Sequence, residues 1–455
     1  MASPSRVPEP LAPLLERLAE ARANTDALFA RVTPQALYDR PIPERHRLIF
    51  YLGHLEAFDW NLLGRGAFEL APDNPELDKL FAFGIDPVGG NLPTDVPADW
   101  PKERAVRRYV GEVRERLDRS LARAYSENGG PSARIGGGTL VHVAIEHRLM
   151  HAETLAYLLH QLPYESKLSD TEAATARPIG VERTSMVRIP AGNATLGINR
   201  HPDQVPGHTA DPASPFGWDN EFEATVHQVP AFGIGAYPVT NGEFMEFVRA
   251  GAYTDRSVWS DDDWSWKSEQ GLQFPFLWVE GRDGWNYRGM FEEYPLPLNA
   301  PVYVSYAEAS AYARWSGKTL PTEAQWHRAA YGTRDETELA YPWGDDWPDR
   351  SRGNFDFASW DPTPVTSHPF GASRFGVHDL VGNGWEWTST TFAPLPGFEP
   401  FPFYRGYSAD FFDGKHFVMK GGSPRTAACM LRRSFRNWFQ SHYPYVYGKF
   451  RCVED

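Results

Sequence analysis

The sequence predicts two differently built halves, a four-helix bundle followed by an α+β domain made largely of long ordered loops. Three observations carry this. Apolar residues recur at helical spacing as far as Leu162, and beyond Pro163 that periodicity largely stops. At 455 residues the chain is too long for one ordinary core. Aromatic residues make up 14% of it, with 16 Trp, a composition suited to loops pinned by large side chains.

Taken in order, residues 10–32 carry Leu at helical spacing and read as an amphipathic helix. Pro41 and Pro43 break the chain, and a second helix runs from about Glu44 through Tyr51, His54, Phe58 and Leu62. A third covers Lys102 to about Tyr125, with Val106, Tyr109, Val110, Val113 and Leu117 as its inner stripe. Glycine-rich turns at 129–131 and 136–138 lead into a fourth, Val141 to Leu162. These four make the bundle, residues 1–164, and a polar linker follows over 165–182. From 183 to 455 short strand-like pieces (Met186–Pro190, Thr225–Val229, Phe417–Lys420) alternate with loops rich in Gly, Pro, Asp and Trp. Helices interrupt at Asn241–Ala250, at Ser305–Trp315 and from Thr322, where Glu323 in the first turn suits the helix dipole.

Composition excludes several classes. A net charge of −14 argues against a nucleic-acid surface, which needs a basic patch. Cys429 and Cys452 are the only cysteines, too few for a disulfide framework or a Cys-based zinc site. No apolar run approaches the ~20 residues of a membrane span. The first residues lack the apolar core of a signal peptide, so the expected compartment is the cytoplasm.

The chemistry concentrates in His147-Arg-Leu-Met-His151-Ala-Glu153, inside the fourth helix. Residues four apart share a helix face one turn apart, so His147 and His151 can hold one metal ion between them. Glu153 lies off that ridge and is placed as a neighbour of the ligands. By itself the pair is equally what an ordinary helix carries on its surface or in its core.

Several phrases of the second half then bear on family: Pro238-Val-Thr-Asn-Gly-Glu-Phe, Leu320-Pro-Thr-Glu-Ala-Gln-Trp, Tyr341-Pro-Trp-Gly, Gly382-Asn-Gly-Trp-Glu-Trp, Lys420-Gly-Gly-Ser and Phe450-Arg451. Together they resemble the formylglycine-generating-enzyme (sulfatase-modifying factor) fold, a variant of the C-type lectin fold, over residues 183–455. The helical half resembles the DinB type of bundle. The combination resembles the ergothioneine-type (hercynine) sulfoxide synthases, mononuclear non-haem iron enzymes that use O2. The resemblance implies Fe(II) held by His54, His147 and His151, with Glu153 fixing a ring tautomer behind them. It implies Asn437 and Trp438 as the hercynine site, a carboxylate needing donors and a trimethylammonium an aromatic face. Tyr404 in Tyr404-Arg-Gly-Tyr407-Ser is the implied proton donor, with Tyr407 beside it. Glu386 and Trp387 are expected to serve loop packing, and Glu56 and Asp59 to be solvated or structural.

Departures from the family pattern bear on the second substrate. Enzymes using γ-glutamylcysteine carry an Asp after Asn-Trp and an Arg four residues further on. Phe439 and Tyr443 stand there in this chain, and Phe81–Asp95 carries no basic residue where the family has an Arg-bearing loop. Burying a peptide carboxylate without its cation costs about 3–5 kcal/mol. The implied pocket of Phe439, Gln440, Tyr443, Tyr445 and Tyr447 is aromatic and uncharged, which suits a neutral sugar. That resembles the selenoneine synthase branch, which joins hercynine to the selenosugar 1-seleno-β-D-glucose. Met150 stands where relatives often have a Gln that helps hold hercynine. Three alternatives stay open: a sulfoxide synthase using γ-glutamylcysteine or cysteine, a DinB-type metal- and thiol-dependent transferase, and a binding module with structural histidines.

Overall fold

The computed structural model describes residues 11–455 apart from 73, 83–91, 129–132, 170–184, 201–215 and 283. The glycine-rich turn expected at 129–131, most of the expected linker and the middle of the 81–95 stretch therefore lie outside the described residues. The chain divides into two compact units, Met1–Thr171 and Glu172–Asp455.

In the first unit α1 (Leu11–Phe29), α2 (Leu48–Asp59), α3 (Pro75–Leu80), α4 (Glu103–Asn128) and α5 (Thr139–Gln161) follow one another. Helix α1 packs on α5, and α2 packs on both α4 and α5. On α4, Val106, Tyr109, Val113, Leu117 and Leu121 are buried, as a 3.6-residue period requires, while Val110 is half-buried at the edge of the stripe. The short α3 is set by local signals: Pro75 at its first turn and the Asn74 side chain accepting the Leu77 N–H at 3.1 Å. Before α5, Gly136, Gly137 and Gly138 take φ of 59°, 65° and 107°, a run of positive φ that favours glycine. Beyond Asp59 the helix widens into a π turn, Trp60–Ala67, where a Cβ on Gly64 would meet the Trp60 ring at 2.5 Å. Tyr164–Ser166 forms a 3₁₀ turn and Lys167 bridges to Val32, so this stretch packs on the bundle.

In the second unit β1 (Met186–Ile189), β4 (Phe232–Gly235) and β12 (Val453–Glu454) form one sheet, and β2 (Gly192–Leu196) pairs with β3 (Thr225–Val229). Strands β5 (Trp278–Gly281), β6 (Gly284–Arg288) and β7 (Glu293–Pro295) form a meander. The fourth sheet runs in the order β10 (Asn437–Gln440), β9 (His416–Lys420), β8 (Trp385–Thr391), β11 (Gly448–Lys449). Helices α6 (Asn241–Arg249), α8 (Tyr306–Trp315) and α9 (Glu323–Tyr331) each open on a capping box, formed by Thr240 with Glu243, Ser305 with Glu308 and Thr322 with Gln325. Helix α7 (Asp261–Glu269) is an addition to the sequence reading, although Ser260 before three aspartates was its signal.

With so little regular ladder, buried ion pairs hold the loops. Glu386 binds the Arg451 guanidinium at 2.6 and 2.7 Å and accepts the Trp326 indole N–H at 2.9 Å. Glu323 receives Arg436 at 3.0–3.2 Å. The Trp387 indole donates to the Val304 carbonyl at 2.9 Å, so Glu386 and Trp387 both pack loops.

Candidate metal centre and substrate-recognition residues

His54 projects from α2, and His147 and His151 project from adjacent turns of α5; the three are 4%, 3% and 2% exposed. One ring nitrogen from each lies within 4.8 Å of the other two. The Nε2 atoms of His147 and His151 are 3.1 Å apart. Two ligand nitrogens about 2.1 Å from one ion and at right angles would be about 3 Å apart. Burial pushes the His54 imidazole down to about 4 and holds those of His147 and His151 well below the usual histidine range, helped by neighbouring histidines and Arg148. All three are thus neutral at physiological pH, the form in which imidazole is a ligand.

The His54 tautomer is fixed by the fold. Its Nδ1–H donates to the Phe81 carbonyl at 2.8 Å, which turns the Nε2 lone pair inward. That Nε2 is buried and has no hydrogen-bond partner. An orphaned imidazole acceptor beside two more neutral imidazoles fits a metal ion. Phe81 escaped the sequence reading because a backbone carbonyl leaves no trace in side-chain patterns. Glu153 is buried at 7% exposure two residues beyond His151 on α5. The rings are walled by aromatics: Phe58 stacks on His147 at 3.4 Å and Phe50 on His54 at 4.8 Å.

Glu56 and Asp59, on the same helix as His54, are 1% and 0% exposed, which excludes the solvated reading and leaves the structural one. Arg148, fully buried beside His147, places Nη2 2.9 Å from Glu56 and 2.7 Å from Asp59. The same nitrogen donates to the Leu55 carbonyl at 3.2 Å. Arg114 takes the other side of Glu56 at 2.7 Å. Two helices that each carry metal-ligand candidates are thereby locked in register by buried charge.

In the second unit Asn437, Trp438, Phe439 and Gln440 constitute β10, the edge strand of its sheet. The Trp438 N–H donates to Asn437 Oδ1 at 2.9 Å, which leaves the amide NH2 of Asn437 as a donor pair. Trp438 is half-buried, stacked on Phe392 at 4.2 Å and edged by Tyr407 and Phe411 at 5.5 and 5.6 Å. Tyr404 is half-buried with its ring 5.5 Å from that of Tyr407, while Tyr407 is 7% exposed and stacks on Trp218 at 3.9 Å. Phe439 stacks on Tyr443 at 5.2 Å, and Tyr445 meets the edges of Tyr443 and Phe276, both at 5.1 Å. Tyr447 stands apart from this group. It is 2% exposed, packs on Tyr303 and belongs to the core, because its backbone pairs with the start of β8.

Two features here were silent in the sequence. His442, stacked on Trp266 at 4.6 Å, is hydrogen-bonded to Asp263 at 2.8 Å, and the Ser260 hydroxyl donates to the same carboxylate. Asp219 is fully buried, and burial pushes its carboxyl up to about 6 against the lowering effect of the Ser408 hydroxyl and backbone N–H groups.

The first unit offers three neutral imidazoles for a metal; the second offers an aromatic cluster around Trp438 that includes Tyr407, and the Asn437 amide beside it in β10. No helix among the described residues is long and apolar enough to cross a membrane. Residues 172–455 match the sulfatase-modifying factor enzyme 1-like domain, and residues 17–155 the DinB superfamily. A protein named hercynine oxygenase from Mycolicibacterium thermoresistibile is 34% identical over 441 residues, covering 94% of this chain and 91% of the relative. A hercynine oxygenase from Mycolicibacterium smegmatis is 35% identical over 80% of each chain. Ergothioneine biosynthesis protein 1 of Neurospora crassa is 29% identical over 95% of this chain and 56% of its own length. With this coverage and both domains in the same order, the chain belongs to the hercynine oxygenase family.

Proposed function

We propose that this protein joins a chalcogen to the imidazole carbon between the ring nitrogens of hercynine, with Fe(II) held by His54, His147 and His151 and O2 as oxidant. The observation that carries this reading is the convergence of three buried neutral imidazoles, one of them presenting an Nε2 with no hydrogen-bond partner. Bound Fe(II) would supply the activation of O2 and keep the donor's thiol or selenol deprotonated. In the balanced reaction the hercynine C–H and the donor S–H or Se–H give up their hydrogens. One oxygen of O2 ends on the chalcogen and the other leaves as water.

The chain's own residues bind and move protons. The Asn437 amide donors suit a carboxylate, and the Trp438 recess offers ring faces to a trimethylammonium group. Tyr404, the more exposed phenol of its pair, delivers the proton, and Tyr407 packs beside it. Glu153, buried two residues beyond His151, is the residue proposed to support the ligands from behind.

For the donor, the residues favour a neutral sugar, 1-seleno-β-D-glucose, and a C–Se bond. Phe439, Tyr443 and Tyr445 offer ring faces and hydroxyls, Gln440 an exposed amide, and the neighbouring His442 and Asp263 satisfy each other. A peptide carboxylate finds no cation among these side chains. The second reading is a C–S bond from γ-glutamylcysteine or cysteine, favoured by the names of the relatives. One assay separates them: hercynine, Fe(II) and O2 with each donor in turn, products read by mass spectrometry and O2 by electrode. The selenosugar is expected to be consumed fastest. Efficient turnover of γ-glutamylcysteine with none of the selenosugar overturns the donor proposal. Transfer that proceeds equally without O2 overturns the reaction itself.

A further inference from the structure

Tyr404, proposed as the proton donor, and its neighbour Tyr407 sit on an irregular loop, residues 401–408, built from two successive turns. The Tyr404 N–H donates to the Phe401 carbonyl at 3.1 Å and the Tyr407 N–H to the Tyr404 carbonyl at 3.2 Å. Neither a strand ladder nor a helix restrains it. Both of its ends instead meet one buried carboxylate. The Ser408 hydroxyl donates to Asp219 Oδ1 at 2.5 Å, and the backbone N–H of Phe401 faces the same group and favours its charged form. Asp219 and Ser408 are both fully buried, and the adjacent Trp218 lies face to face with Tyr407 at 3.9 Å.

The turn that carries Asp219 is tied in the other direction to the segment entering β10. Glu221 accepts Arg432 at 2.8 Å through Nε and at 2.5 Å through Nη2, and the Ser434 hydroxyl at 2.6 Å. The Asn220 carbonyl accepts Arg436 Nη1 at 3.4 Å. One short turn, Trp218–Glu221, thus links the tyrosine loop on one side to the approach to Asn437 and Trp438 on the other. The 5.5 Å edge contact of Tyr407 with Trp438 is the result.

We infer that Asp219 is a positioning residue, clasping both ends of the 401–408 loop so that Tyr404 is held in register with the Asn437–Trp438 recess for proton delivery. The inference rests on the role proposed for Tyr404. A positioning error near 1 Å at a reacting group is enough to slow chemistry by about a hundredfold. The cost should therefore fall on kcat more than on substrate binding.

The test compares unaltered protein with Asp219→Ala, Asp219→Asn, Tyr404→Phe and the Asp219→Ala/Tyr404→Phe double variant. Each is loaded with Fe(II) and assayed with hercynine, O2 and whichever of 1-seleno-β-D-glucose, γ-glutamylcysteine or cysteine the unaltered protein consumes. Tyr404→Phe is expected to lower kcat about a hundredfold or more. Asp219→Ala is expected to lower it about tenfold or more with the KM for hercynine changed less than about threefold. The double variant should be no slower than Tyr404→Phe, and amide exchange should speed up in 401–411 but not in α2 or α5. If Asp219→Ala does not fold, Asp219→Asn carries the same comparison, since it preserves shape while placing an NH2 group among donors. A slow Tyr404→Phe beside a fully active Asp219→Ala overturns the inference, as do losses that multiply in the double variant. An unaffected Tyr404→Phe overturns the tyrosine reading itself, and the catalytic part of this inference with it.

Discussion

Replacing Arg148 by Met tests whether buried charge sets the register of the two helices that carry the metal-ligand candidates. The guanidinium is fully buried and faces two carboxylates at 2.7 and 2.9 Å, a backbone carbonyl at 3.2 Å and the Thr25 hydroxyl at 3.4 Å. Arg148→Met leaves Glu56 with Arg114, but removes the hydrogen-bonded cation from Asp59, which is 0% exposed and whose carboxyl burial already pushes above its usual range. Breaking a buried pair by removing one partner costs about 3–5 kcal/mol. Asp59 escapes part of that by taking a proton, so the loss belongs near the lower figure at neutral pH and should shrink in mild acid. Removing both charges, in Arg148→Met/Asp59→Leu, should recover most of it, since apolar replacement of a buried pair is close to neutral. Hydrogen exchange of α2 and α5 amides reads the opening free energy locally, which matters in a chain of two units where one global transition is not guaranteed. A change under about 1 kcal/mol in Arg148→Met would refute the argument that this network holds the helices. So would a double variant no more stable than the single one.

Other predictions follow from the same unit. A Cβ on Gly53 would lie 2.5 Å from the Phe81 ring, so Gly53→Ala should displace Phe81 and with it the carbonyl that holds His54. Metal affinity is expected to fall about 10–100-fold, measured by equilibrium dialysis of Fe(II). Single His54→Ala, His147→Ala and His151→Ala variants should each abolish the rise in Tm that Fe(II) gives the unaltered protein, a rise equivalent to about 4 kcal/mol at a thousandfold excess over Kd. A Tm response retained in all three would remove the triad as the site. For pH, the His54 imidazole is lowered from 6.5 to about 4 in the folded chain, so below 6.5 the unfolded chain binds the extra proton first. Its contribution to metal-free stability is therefore full above 6.5 and lost as pH falls toward 4, about 3 kcal/mol in total. Denaturation of metal-free protein across that window should show the loss, and His54→Phe should flatten it.

The parts of this molecule that were legible in the sequence are those written in local pattern. The spacing from Val141 to Leu162 anticipated α5, observed at Thr139–Gln161, and the capping residues Ser305 and Thr322 open α8 and α9. His147 and His151 share a face because they are four apart, whereas His54 joins them only through tertiary packing and was reached through family resemblance. Arg148 went unremarked for the same reason: its partner Asp59 is 89 residues away, and nothing local says that a charged residue turns inward. Phe439, Tyr443 and Tyr445 do meet, but Tyr447 parts from them because the chain leaves the loop and enters β11 next to β8. An irregular segment has no fixed period from which to foresee that.

The second unit combines a firmly anchored frame with a loop that can vary. Its regular structure is sparse, and its geometry depends on arginines of the last stretch gripping earlier acids: Arg432 on Glu221, Arg436 on Glu323, Arg451 on Glu386. These anchors bracket residues 437–447 on both sides, and Lys449 adds a buried contact to Asp379 at the far end. Between them the side chains of 439–445 are half-buried or exposed, with His442 hydrogen-bonded to Asp263. Substitution there costs little stability, while Asn437 and Trp438 stay fixed by the neighbouring anchor at Arg436. On the proposed reading, residues 439–445 can therefore vary while Asn437 and Trp438 are held, which is the division of labour expected when a rigid frame carries variable recognition loops.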